Sequence, residues 1–256
     1  MSTQKNLNDC CRNNVCPICG NTGWATKIID GMEYARECKC GIRQREIQKN
    51  MISFADIPDA FKDMRLDSFR IDIYKSDISR NKAENSIKGI KYWLSDFKAM
   101  NERGMGLYLY SNIKGSGKTR MAASIANELI EKKIHVKFST SLQILEEIKN
   151  SWNNNEEHEL LKQLSTSEVL VIDDFGTEQV KEWICERFYQ IINERYINHR
   201  VTIFTSNYKL DTLDYDERIK NRLKEVTFQI PFPEESVREQ IAKDNMQELV
   251  KGIKNN

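Results

Sequence analysis

One stretch of this sequence constrains the fold more than any other: a glycine-containing loop between two apolar segments. The loop, residues 111–119, ends in Gly117-Lys118-Thr119. The apolar residues 106–110 before it predict a buried strand, and residues 121–130 after it have the apolar spacing of a helix. A loop in this setting directs backbone N–H groups at phosphate oxygens, at the positive end of a helix dipole. The alternative is a turn that binds no ligand. It is disfavoured because the predicted strand, the Gly-Lys-Thr sequence and the acids farther along the chain all favour a phosphate-binding site.

The side chains of this loop have distinct expected roles. Lys118 would add positive charge beside the phosphates, and the Thr119 hydroxyl would ligate Mg²⁺. Asn112 stands where such loops usually have their first glycine. Because Asn tolerates a left-handed backbone better than other non-glycine residues, we expect the loop still to close. The residues predicted to contact the nucleotide here are Asn112, Ile113, Lys114, Gly115, Ser116, Gly117, Lys118, Thr119 and Arg120.

Polar residues follow two further apolar segments. Asp173 and Asp174 come directly after residues 169–172, which read as a buried strand, and Asn207 follows the apolar segment 201–206. Strands separated by helices predict a parallel α/β sheet, in which ligands bind beyond the carboxyl ends of the strands. Asp173 suits the Mg²⁺ shell. Asp174 would polarise the attacking water, although its side chain is one methylene shorter than that of the glutamate common at this place. Asn207 would orient that water or contact the γ-phosphate.

Composition narrows the class of protein. Charged residues make up 30% of the chain but nearly cancel, leaving a net charge of +1, which argues against coating nucleic acid by bulk charge. No apolar run approaches the roughly 20 residues that span a bilayer, and the polar N-terminus does not resemble a signal peptide. We therefore expect a soluble cytoplasmic protein, with no membrane partner. The polar residues 153–155 are predicted to form a surface loop.

Six of the seven cysteines lie within the first 40 residues, which favours metal ligands over disulfides in a cytosolic chain. Two predicted strands flank an Asp-Gly turn at residues 30–31 and would bring two cysteine pairs together. Four thiolates leave no open position, so the metal would be structural zinc. The predicted ligands are Cys16, Cys19, Cys38 and Cys40; Cys10 and Cys11 compete with them, although free thiols are the favoured interpretation of that pair.

Two arginines and two long helices complete the predicted organisation. Arg218 and Arg222 are four residues apart and would share a helix face, either as a group that acts on a neighbouring subunit's phosphates or in salt bridges with Asp216 or Glu225. We predict a domain boundary near residue 55, and residues 54–61 read as a linker. Single helices are predicted over residues 79–100 and 179–197. A C-terminal helix is predicted to open at residues 235–238.

With these residues in view, nearly the whole chain resembles the DnaC/DnaI-type helicase loaders, AAA+ ATPases that are close relatives of the IstB transposition ATPases. The cysteine module is similar to the loaders' N-terminal zinc domain, which binds the replicative helicase. The residues that match the ATPase motifs are Gly117, Lys118 and Thr119 for Walker A, Asp173 and Asp174 for Walker B, Asn207 for sensor 1, Arg222 with Arg218 in reserve for the arginine finger, and Arg238 for sensor 2.

The resemblance implies an α/β protein with an AAA+ P-loop core, a parallel sheet flanked by helices, over residues 55–256. Residues 1–54 would form a small zinc-binding, helicase-interacting domain with four cysteine ligands. The implied cofactors are ATP, Mg²⁺ and Zn²⁺. The implied function is ATP-dependent loading of a hexameric DnaB-type helicase onto single-stranded DNA, with self-assembly through the ATPase domain. Two alternatives stay open: an IstB-like helper of a transposase, and an adaptor or inhibitor of the helicase in which ATP is structural.

Overall fold

The computed structural model describes residues 15–152 and 156–254. Its contacts divide the chain into two compact units, Met1–Phe54 and Ala55–Asn256. The alternative ligands Cys10 and Cys11, the polar N-terminus and the predicted surface loop at 153–155 lie outside the described residues. None of the described helices combines the length and the apolar character needed to cross a lipid bilayer.

The first unit is built on an antiparallel hairpin. Strand β1 (Trp24–Ile29) pairs with β2 (Met32–Glu37) through the predicted Asp-Gly turn, where Asp30 and Gly31 both have positive φ, 50° and 77°. That combination is what a tight two-residue hairpin turn requires. Helix α1 (Ile42–Ala55) follows. It extends into the segment predicted to be a linker, which also contains a short 3₁₀ helix at Asp59–Phe61.

The second unit contains a five-stranded parallel sheet in the order β4-β5-β6-β3-β7. In β3, β5 and β6 nearly every residue is buried, as expected for strands covered on both faces. Because β6 lies between β5 and β3 and all three strands are parallel, the carboxyl ends of β3, β5 and β6 are near one another at one edge. The strands are β3 (Gly106–Tyr110), β4 (Val136–Thr140), β5 (Val169–Asp173), β6 (Val201–Ser206) and β7 (Thr227–Pro231).

Close packing of β3 on β6 depends on a residue without a side chain. A Cβ atom at Gly106 would lie 1.8 Å from the carbonyl oxygen of Thr202, so no other residue fits at the start of β3. One buried cluster joins three strands of the sheet to four helices that follow β4, and it includes Tyr108, Phe175 and Phe188. This packing fixes the strand ends that carry the polar residues.

The helices of the second unit agree with the sequence in outline and differ in detail. The helix predicted over residues 79–100 is two helices that meet at Asp96. Ser and Asp side chains compete for backbone hydrogen bonds, and the Ser95 hydroxyl does so here, at the Tyr92 carbonyl. The helices are α2 (Asp77–Ser95), α3 (Phe97–Glu102), α4 (Lys118–Glu131), α5 (Ser141–Ser151), α6 (Glu157–Thr166), α7 (Glu182–Ile197), α8 (Glu217–Val226) and α9 (Arg238–Lys254).

Two of these helices correct the sequence analysis. Helix α6 was not predicted, and it lies just after the segment that the structure does not describe. Helix α7 begins at Glu182 rather than at residue 179. The residues before it belong to the turn after β5, where Glu178 is buried by contacts with distant parts of the chain. The apolar pattern of the sequence contains no information about those contacts.

Candidate functional site

The loop between β3 and α4 has the backbone that phosphate binding requires. Gly115 and Gly117 both lie in the left-handed region, with φ of 78° and 94°, and α4 begins directly after them at Lys118. Asn112, in contrast, is not among the residues with positive φ. The loop closes as expected, but through its two glycines and without a left-handed Asn112, whose amide donates to the Glu234 carboxylate at 3.3 Å.

The Lys118 side chain lies across the loop. Its ammonium group donates to the carbonyl oxygens of Ser111 (3.3 Å) and Ile113 (3.1 Å) and to the Ser116 hydroxyl (3.3 Å), and only 5% of the residue is exposed. Burial lowers the pKa of this ammonium group, and the nearby charge of Asp174 acts in the opposite direction. A buried cation of this kind, held only by neutral oxygens, is well placed to bind an anion.

A short chain of oxygens joins the loop to the end of β5. The Thr119 hydroxyl donates to the Asp173 carboxylate at 2.9 and 3.1 Å, and the Thr205 hydroxyl donates to the same carboxylate at 2.5 Å. Burial raises the pKa of Asp173 to about 6, while the hydrogen bond from Thr205 lowers it. A hydroxyl and a carboxylate side by side are hard oxygen donors, so this pair fits Mg²⁺. The predicted ligands Thr119 and Asp173 therefore do lie together.

Asp174, the residue after Asp173, turns out of the sheet toward the loop. Asp174 has a φ of 53°, and its amide donates to the Thr205 hydroxyl at 2.9 Å. Its side chain is exposed in the same cleft as Lys118, and Asn207, which follows β6, lines this cleft as well. Lys118, Asp174 and Asn207 thus converge from three different strand ends.

The cleft has a volume of about 550 Å³ and two walls of different chemistry. The polar wall is formed by the loop from Lys114 to Thr119, with Asp174, Asn207 and Arg238. The opposite wall is apolar, and the sequence analysis did not assign it a role. Its aromatic and aliphatic side chains are Phe61, Phe69, Ile73, Tyr74 and Ile241.

Two aromatic residues attach this apolar wall to the loop. The Tyr74 hydroxyl donates to the Ser116 carbonyl at 2.7 Å, and a Cβ atom at Gly117 would lie 3.0 Å from the Phe69 ring. Arg120 contacts the same region, because its guanidinium donates to the Ser68 carbonyl at 2.5 Å and lies 5.4 Å from the Phe69 ring centre. A flat apolar pocket beside a phosphate loop suits a nucleobase. The only signal in the sequence was the density of aromatic residues over 61–74.

Arg238 begins helix α9 beside the loop. The amide of Val237 donates to the Gly115 carbonyl at 3.0 Å, and a Cβ atom at Gly115 would lie 2.9 Å from the Arg238 Nε atom. The predicted sensor 2 residue is therefore in reach of a phosphate held by the loop, although it is far from the loop in sequence.

The two candidate finger arginines lie elsewhere. Neither lines the cleft of its own chain. Arg222 stacks over the Tyr196 ring at 4.1 Å, whereas Arg218 pairs with Asp216 at 3.0 Å and lies 4.8 Å from the Tyr189 ring centre. The salt bridge considered as the alternative role is thus present for Arg218. Arg222 has a buried Nε atom without a hydrogen-bond partner.

The first unit brings the four predicted cysteines together. Their sulfur atoms all lie within 4.8 Å of one another, with Cys16 and Cys38 3.8 Å apart and Cys19 and Cys40 3.6 Å apart. A tetrahedral zinc site with Zn–S bonds of about 2.3 Å has sulfur–sulfur edges of about 3.8 Å. The two short pairs match this edge, so the cluster could hold zinc after the remaining sulfur atoms move closer together.

The electrostatics of these thiols favour a dication. The Cys19 and Ile18 amides lower the pKa of the Cys16 thiol to about 6. At Cys38 the Cys40 amide also acts to lower the pKa, but burial and the neighbouring sulfurs outweigh it and raise the value to about 12. A cation among these sulfur atoms would favour the thiolate at Cys38, which burial and the neighbouring sulfurs disfavour.

Comparison with known proteins agrees with this geometry. Residues 109–219 match the family of IstB-like ATP binding proteins. The chain is 36% identical over 126 residues to the replicative helicase loader DnaI of Bacillus subtilis (strain 168), and 25% identical over 144 residues to the replicative helicase loader DnaC of Escherichia coli (strain K12). These matches cover 48% and 55% of this chain, and 40% and 57% of the relatives.

A crystal structure of DnaI has the same fold. It superposes with a TM-score of 0.58 at 24% identity, over 69% of this chain and 94% of the DnaI chain. The five-stranded parallel sheet flanked by helices is thus the fold that this chain shares with the DnaI structure. Residues 109–219 therefore match the IstB-like ATP-binding family, and the chain is similar in sequence to the helicase loaders DnaI and DnaC over about half of its length.

Proposed function

We propose that this chain is an ATP-dependent loader that binds a hexameric DnaB-type replicative helicase and delivers it onto single-stranded DNA at the initiation of replication. One observation carries the proposal: a chain similar in sequence to two helicase loaders contains both a phosphate-loop cleft and a four-cysteine unit. Both relatives are named as loaders of replicative helicases. Such work takes place in the cytoplasm.

In this proposal ATP hydrolysis is the switch between helicase-bound and released states. The loop and Lys118 would hold the phosphates, and Thr119 with Asp173 would hold Mg²⁺, which neutralises charge on the β- and γ-phosphates. Asp174 would accept the hydrogen bond of the attacking water, and Asn207 would fix the direction of that water. The apolar wall at Phe69 and Tyr74 would bind the base.

Assembly side by side would complete the site. Arg222 lies outside the cleft of its own chain, so it would reach the phosphates of a neighbouring subunit. A guanidinium stays ionised and stabilises charge that develops on the transferred phosphoryl group. Single-stranded DNA would run through the centre of such an assembly. The four-cysteine unit, stabilised by zinc through Cys16, Cys19, Cys38 and Cys40, would hold the helicase.

The test combines binding and loading. The full chain is mixed with the helicase of its host, with and without ATP, and complexes are sized by light scattering. Helicase loading is then measured as unwinding of a circular DNA bearing a duplex branch. We expect a complex with the wild-type chain and loss of loading in Lys118→Ala. The matched control is Lys98→Ala, which changes an exposed lysine on α3 outside the cleft.

The outcomes separate the three candidate functions. Loading that survives in Lys118→Ala would make ATP structural and the chain an adaptor or inhibitor. Absence of any complex with the helicase would contradict the loader. The family match favours an IstB-like helper of a transposase as the second candidate. That role predicts an ATPase stimulated by duplex DNA, which is measured by phosphate release with and without a linear duplex.

A further inference from the structure

The backbone of Asp174 is held in its left-handed conformation by side chains from three segments. Its amide donates to the Thr205 hydroxyl of β6 at 2.9 Å. Its carbonyl oxygen accepts a bond from the Thr177 hydroxyl at 2.8 Å and has the Ser141 hydroxyl, at the start of α5, 3.1 Å away. A non-glycine residue at a φ of 53° is uncommon and persists when its surroundings impose it.

Glu178 lies behind this turn and connects its parts. One carboxylate oxygen accepts a bond from the Ser141 hydroxyl at 2.7 Å. The other accepts one from the Gly176 amide at 3.2 Å and one from the Tyr215 hydroxyl. Only 8% of the residue is exposed, and it does not line the nucleotide cleft. A buried carboxylate with three donors and no basic partner among its described contacts needs an explanation other than a salt bridge.

The Tyr215 side chain also contacts this turn, from a segment that is distant in sequence. Its ring stacks on the Phe175 ring with centroids 4.7 Å apart and planes within 4° of parallel. Phe175 is the residue after Asp174. Tyr215 therefore contacts the turn at two places, the Phe175 ring and the Glu178 carboxylate. Tyr215 also stands two residues before α8, the helix that carries Arg218 and Arg222. The turn is thereby joined to α5, β6 and the start of α8.

We infer that Glu178 is a positioning residue for ATP hydrolysis: without touching the nucleotide, it holds the turn that aims the Asp174 carboxylate into the cleft. The inference rests on the proposed role of Asp174 in hydrolysis. The Ser141 hydroxyl, which reaches both the Glu178 carboxylate and the Asp174 carbonyl, is the direct link between them. Glu178 acts through acceptor oxygens and not as a base, so an amide of the same shape can replace it.

The test compares two variants of Glu178 in the full chain. Glu178→Met keeps the length of the side chain but removes both acceptors. We expect it to lower kcat by about tenfold or more, with KM for ATP within about twofold of wild type. Glu178→Gln retains an acceptor for the Tyr215 and Gly176 donors and should restore kcat to within about threefold. The matched control is Glu182→Met, an exposed glutamate four residues farther on.

Hydrogen exchange of the amides at 174–177 supplies a measurement that does not depend on hydrolysis. Exchange should be faster by about tenfold or more in Glu178→Met and unchanged in Glu178→Gln and in Glu182→Met. If the wild-type chain hydrolyses no ATP, the proposed enzymatic function fails and the exchange rates alone decide whether Glu178 holds the turn. If Glu178→Met does not fold, Tyr215→Phe and Ser141→Ala each remove one donor, and the same changes in kcat and exchange are expected.

Three results would overturn the inference. The first is a kcat for Glu178→Met equal to that of wild type. The second is a Glu178→Gln variant as slow as Glu178→Met, because that would assign the effect to the negative charge rather than to its acceptors. The third is a rise in KM as large as the fall in kcat, which would indicate lost nucleotide binding.

Discussion

The Thr205 hydroxyl donates a 2.5 Å hydrogen bond to the buried Asp173 carboxylate at the end of β5. The same oxygen accepts the Asp174 amide at 2.9 Å, so one side chain of β6 is bonded to both acids at the end of β5. Thr205→Val keeps the shape of the side chain and removes both bonds. Since a hydrogen bond to a charged group contributes about 1.5–3 kcal/mol, we expect kcat to fall by about 10- to 100-fold.

Steady-state ATPase assays measure this effect, and titration with a fluorescent ATP analogue measures nucleotide affinity separately. We expect the affinity to change by less than about threefold, because Thr205 does not line the cleft. Thr166→Val is the control, since its hydroxyl bonds to the Lys162 carbonyl within α6. An unchanged kcat in Thr205→Val would show that the position of the two acids does not depend on this hydroxyl.

The four-cysteine unit predicts one zinc per chain. Among the residues that the structure describes, the buried cluster around its sulfur atoms is Cys16, Cys19 and Cys38 with Ala25, which is too little apolar surface to stabilise so small a unit without a metal. We expect Cys16→Ser to lose the zinc and the hairpin signal in circular dichroism, while ATP still binds. Metal content is measured by mass spectrometry, with Cys185→Ser as the control. Less than half a zinc per chain in reduced, folded protein would contradict the prediction.

The polar half of the nucleotide cleft could be predicted from the sequence because its motifs are local. The loop that ends in Gly117-Lys118-Thr119 follows β3 directly, and Asp173 and Asp174 stand at the end of β5. The carboxyl ends of parallel strands meet at one edge, so the short motifs assemble without further information. The hairpin of the first unit was predictable for a similar reason, because Asp30 and Gly31 alone specify its turn.

The apolar half of the cleft and the Glu178 network could not be predicted in this way. Tyr74 bonds to Ser116, 42 residues away, and Glu178 bonds to Ser141 and Tyr215, each 37 residues away. No local pattern encodes such pairs. The break between α2 and α3 was missed because the apolar spacing continues across it.

The position of Arg222 predicts that two subunits share one site. An assembly of Lys118→Ala subunits cannot bind ATP, and an assembly of Arg222→Ala subunits lacks the finger, so each alone should be inactive. When the two are mixed, interfaces with an intact cleft and an intact finger form, and we expect turnover to return to roughly a quarter of the wild-type value by random mixing. Phosphate release at increasing ratios of the two variants measures this recovery.

The control for this experiment is Arg218→Ala, which removes the reserve arginine. Arg218 already pairs with Asp216, so its loss should leave turnover unchanged. If Arg218→Ala is inactive and Arg222→Ala is not, the finger is Arg218. If neither variant changes turnover, hydrolysis does not depend on an arginine of α8.

We predict that the stability of the second unit is most sensitive to a substitution at Arg195. It is 1% exposed, and its guanidinium donates to the Leu164 and Ser167 carbonyls at 2.8 Å and to the Thr202 hydroxyl at 2.8 Å. The first two acceptors lie at the carboxyl end of α6, where unpaired carbonyls and the negative end of the helix dipole favour a cation. Arg195 thus joins α6 to α7 and β6 in the absence of any carboxylate partner among its described contacts.

Replacing this residue by an apolar one of similar length leaves those carbonyls buried without donors. We therefore expect Arg195→Met to lower the free energy of unfolding by about 3–5 kcal/mol. The reason is that removing the charged donor of a buried hydrogen-bond network leaves its acceptors unpaired. Arg195→Lys should lose less, because an ammonium group still reaches some of the acceptors. Urea unfolding followed by tryptophan fluorescence measures both, with the exposed Arg200→Met as control. A loss below about 1 kcal/mol in Arg195→Met would mean that water enters and satisfies the end of α6.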